Sequence, residues 1–162
     1  MTINVGQKLP DGVFMHLNDG VPTPVNVAEL TKGRKVALFG LPGAFTSTCS
    51  MAHLPSFMRN VDALKAKGVD EIICMAVNDP FVMDAWDKAT GASEAGVTMM
   101  TDPDGSLTKA MGLDFSVEAI GFVDRTRRFA AIVEDGTVTW LQEEVEKGVC
   151  DLTGGETLLD AL

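Results

Sequence analysis

The chain has 162 residues, 46% of them apolar, enough for one folded unit spanning residues 1–162 with a continuous core. Its 23 acidic side chains against 13 basic ones leave a formal charge of -10, a field that repels nucleic-acid phosphates and anionic lipid, so no nucleic-acid partner is expected. No apolar run reaches the roughly 18 residues of a membrane span, and the first residues lack a basic stretch followed by an apolar one; no membrane association and a cytoplasmic location are expected.

Before Lys35, "VFMHLNDG" and "PVNVAELTKG" read as a small strand or hairpin and a turn of helix. "KVALFG" at Lys35 to Gly40 is an apolar run stopped by Leu41, Pro42 and Gly43, the pattern of a buried strand entering a loop. From Cys49 onward Leu54, Phe57, Met58, Val61 and Leu64 recur at helical spacing until Gly68. That spacing predicts one amphipathic helix starting near Thr46 to Cys49, kinked by Pro55. "EIICMAV" from Glu71 is a second buried strand, and "DPFVMDAWDKAT" from Asp79 is a helix with Pro80 in its first turn. "VTMMTD" is a third strand and "GSLTKAMG" a short helix. "RFAAIVEDGTVTWL" forms a hairpin around Asp135 and Gly136, and "GGETLLDAL" closes the chain as a helix. This alternation predicts an α/β fold, a mixed sheet with helices on both faces.

Three cysteines, Cys49, Cys74 and Cys150, are too few and too scattered for a disulfide framework, and no CxxC pair offers metal spacing. Cys49 differs from the other two in context. At the start of a helix its sulfur faces unpaired N–H groups and the positive end of the helix dipole, which favour a thiolate. Thr46 can cap that helix and face the sulfur, Gly43 permits close backbone approach, and Pro42 stiffens the loop.

"PGAFTSTCS" at Pro42 to Ser50 contains the PxxxTxxC motif and resembles the active site of peroxiredoxins, in the form of the peroxiredoxin-5 or type II group. The resemblance continues through "HLPSF" at His53, "GVDEIICMAVNDPFVMDAW" at Gly68, "DPDGSLTKAMGLD" at Asp102 and "RRFAAIVEDGTV" at Arg127. It implies a thioredoxin-like fold with a small N-terminal β extension and a thiol peroxidase needing no metal or prosthetic group. Cys49 is then the peroxidatic cysteine, attacking hydrogen peroxide or an alkyl hydroperoxide and becoming a sulfenic acid. Pro42, Thr46 and Arg128 complete its site, with Gly43, Phe45 and His53 in the substrate pocket. The family arginine precedes an aromatic residue, which selects Arg128 before Phe129; strand alternation puts Arg128 on one face with Ala130 and Ile132 and turns Arg127 away. His53 is expected to have a structural or tuning role.

One departure from the family pattern is Ser47, where proline is usual. The resemblance also implies a homodimer, with Phe45 and Phe81 as contacts. The sulfenic acid requires a second thiol. That thiol is expected from glutathione with glutaredoxin, or from thioredoxin, with Cys74 as a possible internal resolving cysteine and Cys150 as a weaker one. Two alternatives stay open on the residues alone: a peroxide-sensing binding module that oxidises without turnover, and a cysteine hydrolase using Cys49 and His53.

Overall fold

The computed structural model describes residues 2–146 and 148–162, with Cys49 and Met51 described as backbone only. Strands β1 (Val13–Asn18) and β2 (Val21–Asn26) form the expected N-terminal hairpin, and α1 (Val27–Thr31) follows. Asn26 caps α1 by accepting from the Glu29 N–H at 3.1 Å. After β3 (Lys35–Gly40), Cys49–His53 is a turn of π-helix that runs into α2 (Leu54–Met58), and α3 (Val61–Ala66) comes next. Then come β4 (Glu71–Ala76), α4 (Pro80–Thr90), α5 (Ala92–Ala95) and β5 (Val97–Thr101). The chain continues through α6 (Ser106–Ala110), β6 (Asp114–Val117) and β7 (Phe122–Thr126). It ends with β8 (Phe129–Glu134), β9 (Thr137–Glu143) and α7 (Gly155–Asp160).

Seven strands make one sheet in the order β2-β1-β5-β4-β3-β8-β9, and β6 and β7 pair separately. The β3, β4 and β5 pairings are parallel, whereas β8 runs antiparallel to β3 and to β9. Alternation along each strand divides the core between the two faces. Ala37, Phe39, Cys74 and Ile132 pack with Leu54, Phe57, Trp86 and Leu158 under α2, α4 and α7. Val36, Leu38, Ile73 and Ala131 pack on the other face with Val27 and Leu107 of α1 and α6. Helices therefore cover both faces, the thioredoxin-like mixed sheet that the sequence leads one to expect. No helix among the described residues is long and apolar enough to cross a membrane.

The helix expected from Thr46 to Lys67 is instead segmented. Pro55 has no N–H to give to the carbonyl four residues back, and the turn before it widens into π geometry rather than only bending. A second break falls at Arg59 and Asn60, where the Asn60 amide donates to the Ser56 carbonyl at 2.7 Å and competes with the backbone for it. The β6–β7 ribbon was not expected from the sequence.

Candidate active site

The loop from Leu41 to Thr46 leaves the carboxyl end of β3, and helical backbone begins at Ser47. In open α/β sheets this end of the parallel strands is where ligands bind. The Cys49 side chain lies outside the described residues; its backbone sits in the first turn of that helical stretch. Ser47 occupies the first helical position, where the N–H that a proline lacks has no intrahelical partner, so serine in place of proline preserves the turn.

Three contacts fix the loop and the helical turn after it from outside. Asn78, just after β4, accepts from the Ala44 N–H at 2.9 Å. Trp86 of α4, buried, donates its indole N–H to the Ser50 hydroxyl at 2.9 Å. Arg125 of β7 donates from Nη1 to the Pro42 carbonyl at 2.9 Å while its guanidinium lies 5.1 Å from the Phe122 ring centroid. A Cβ on Gly43 would run into that same Nη1, so glycine is what lets the arginine reach the loop. The Thr46 hydroxyl donates to the Gly43 carbonyl at 2.8 Å. Its one proton is thereby committed, and its oxygen faces other groups as an acceptor.

Arg128 arrives from far along the chain because β8 pairs antiparallel with β3, Gly40 opposite Phe129. The residue before Phe129 thus stands beside the start of the loop. A side chain at Gly40 would collide with the Phe129 ring, so that glycine sets how closely the two strands meet. Arg128 is only 8% exposed and extends from the face that carries Ala130 and Ile132. Arg127 is on the outer side, in an ion pair with Glu143 at 3.2 Å.

His53 is fully buried beside Phe39 and Phe57, whose rings stack at 3.9 Å between centroids. Its Nδ1 is 3.0 Å from Arg128 Nη1 and its Nε2 is 3.0 Å from the Thr153 carbonyl. A guanidinium can only donate and a carbonyl only accept, so the imidazole carries its proton on Nε2 and accepts at Nδ1. Burial first, and then the Arg128 charge, push its pKa from 6.5 down to about 3, against a smaller opposing pull from the Thr153 carbonyl. His53 is therefore neutral at physiological pH.

Cys74 is fully buried in β4, with Phe39 and Met99 as its sheet neighbours. Cys150 is partly exposed, its sulfur 3.9 Å from the Thr153 hydroxyl, on a stretch whose Gly148 carbonyl accepts from the Thr48 hydroxyl at 2.7 Å. Burial pushes the Cys150 thiol up; the Thr153 hydroxyl and Arg128 act the other way. Beside Pro42, Thr46 and Arg128 opens a cavity of about 640 Å³ walled by Phe115, Ile120, Phe122 and Val145. Arg125 and the β6–β7 wall are the parts that sequence reasoning missed; the only signal was a second arginine close to Arg128.

The Redoxin family model matches residues 4–159. Peroxiredoxin-2E-2, chloroplastic, of Oryza sativa subsp. japonica is 46% identical over 165 residues, covering 99% of this chain and 73% of its own. The crystal structure of reduced Prx3 in complex with H2O2 from Vibrio vulnificus superposes with a TM-score of 0.92 at 42% identity, covering 99% and 96% of the two chains. Peroxiredoxin 5 from Alvinella pompejana gives a TM-score of 0.85 at 30% identity, covering 98% and 97%. The chain belongs to the peroxiredoxins, within the Redoxin family. It is a thiol-dependent peroxidase, an oxidoreductase that reduces peroxide at the expense of thiol.

Proposed function

We propose that Cys49 is the peroxidatic residue and that Pro42, Thr46 and Arg128 form its site. Gly43, Phe45 and His53, expected in the substrate pocket, do not line the cavity: Gly43 instead makes room for Arg125, His53 holds Arg128 from within the core and Phe45 points to solvent. The observation that carries this reading is the buried guanidinium of Arg128, held by a neutral histidine beside the loop that leads to Cys49. The Cys49 thiolate attacks the terminal oxygen of ROOH, an S–O bond forms and the O–O bond breaks. The hydroxyl hydrogen stays with the sulfenic acid, and RO⁻ leaves to take a proton and become an alcohol or water. Thr46, whose proton is given to Gly43, accepts from the peroxide O–H and orients it. Arg128 faces the charge that builds on the departing oxygen. The apolar wall of Phe115, Ile120, Phe122 and Val145 fits alkyl hydroperoxides as well as hydrogen peroxide.

External thiols, glutathione with glutaredoxin or thioredoxin, reduce the sulfenic acid in this proposal, because Cys74 is sealed in the sheet and burial raises the Cys150 thiol pKa. A second reading makes Cys150 an internal resolving thiol; the Thr48–Gly148 contact favours it over Cys74. A homodimer completes the proposal: Phe45 and Phe81, 57% and 58% exposed, flank two loops joined by the Ala44–Asn78 bond. A cytosolic location suits a cycle that draws on a reducing thiol pool.

The pH dependence of the peroxide reaction in Arg128→Met and Arg127→Met tests the site. Arg128→Met should be slowed near neutral pH and keep a defect of roughly tenfold to a thousandfold at high pH, where thiolate is no longer limiting. Damage in Arg127→Met with a normal Arg128→Met would reject the assignment.

A further inference from the structure

Arg128 and Glu144 sit at the mouth of the β8–β9 ladder, one step beyond the Phe129–Glu143 pair, and the Glu144 N–H donates to the Arg128 carbonyl at 3.1 Å. The Glu144 carboxylate turns toward the segment after Cys150. Its Oε1 accepts from the N–H groups of Asp151 and Leu152, both at 3.0 Å. Its Oε2 accepts from the Leu152 N–H at 3.0 Å, the Thr153 N–H at 2.9 Å and the Thr153 hydroxyl at 2.6 Å. Three successive backbone N–H groups and a hydroxyl aimed at one carboxylate use about all the lone pairs it has.

The same Thr153 offers its carbonyl to His53 Nε2, and His53 Nδ1 accepts from Arg128. The bonds close a ring: Arg128 to His53, His53 to Thr153, Thr153 to Glu144, and Glu144 back to Arg128. We infer that Glu144 is a positioning residue for the peroxidase site, clamping residues 151–153 so that the Thr153 carbonyl fixes His53 and His53 fixes the guanidinium of Arg128. The inference rests on the role proposed above for Arg128. An amide cannot substitute for the carboxylate, because its NH₂ would face donors that already point inward.

The test is a double-mutant cycle on the full chain: the rate of hydrogen peroxide reaction and its pH profile in wild type, Glu144→Gln, Arg128→Met and the double variant. Glu144→Gln should slow the reaction roughly tenfold to a hundredfold, the cost of a misplaced catalytic group, and displace the thiol titration in the same direction as Arg128→Met. In the Arg128→Met background it should cost almost nothing more. Equal slowing in both backgrounds, or a rate within about twofold of wild type in Glu144→Gln, would overturn the inference while leaving Arg128 in the site. A normal rate in Arg128→Met would instead reject the site itself. If Glu144→Gln does not fold, Thr153→Val enters the cycle in its place, and Thr153→Ser, which restores the hydroxyl, should recover the wild-type rate; failure to recover would count against the clamp.

Discussion

Lowering the pH from 7 to 5 should destabilise the protein through His53. The imidazole titrates at about 3 in the fold against 6.5 when unperturbed, because full burial strips water from the charged ring and, second, the Arg128 guanidinium repels it. A base whose folded pKa is depressed binds its proton more readily in the unfolded chain. Its stability contribution is thus fully present above pH 6.5 and is lost as the pH falls toward 3. The gap corresponds to about 5 kcal/mol, of which about 2 kcal/mol is lost between pH 7 and 5, before most carboxylates titrate. Urea unfolding at pH 7, 6 and 5, at fixed protein concentration, measures it in wild type and His53→Gln. His16 is present in both proteins and cancels in the comparison. Wild type should lose about 2 kcal/mol more than His53→Gln across that interval. Parallel pH dependence in the two proteins would refute the buried, neutral histidine.

Arg125→Met removes the donor to the Pro42 carbonyl and the cation above Phe122, and should slow the peroxide reaction roughly tenfold in stopped-flow measurements while circular dichroism stays unchanged. Phe45→Glu with Phe81→Glu places charge on the proposed interface; sedimentation at micromolar concentration should report dimers for the wild type and monomers for the variant.

Most strands were legible because their sequences are locally distinctive. The apolar run of β3 and β4 reflects burial on both faces, and the Asp135–Gly136 turn, with φ of 49° and 78°, adopts the left-handed pair that a tight hairpin needs. The inward placement of Arg128, with Ala130 and Ile132, was legible from alternation, whereas its choice as the site arginine came from the resemblance. The break in the long helix was not, since Phe57, Val61 and Leu64 keep facing the same core across Arg59 and Asn60. Nor was the π turn, because an i→i+5 bond leaves no mark on apolar spacing. The β6–β7 ribbon is short, has no fully buried apolar run, and pairs through a register shift between Phe115 and Val117. The brace from Arg125 and the ring through Thr153 and Glu144 join residues up to 100 positions apart by backbone carbonyls and N–H groups, which no side-chain pattern announces.

The most direct test of the account is peroxide consumption with excess dithiothreitol in Cys49→Ser, Cys74→Ser and Cys150→Ser, since an external dithiol bypasses any internal resolving thiol. Turnover should vanish in Cys49→Ser and persist in the other two. Near wild-type turnover in Cys49→Ser would contradict the assignment of Cys49 as the nucleophile.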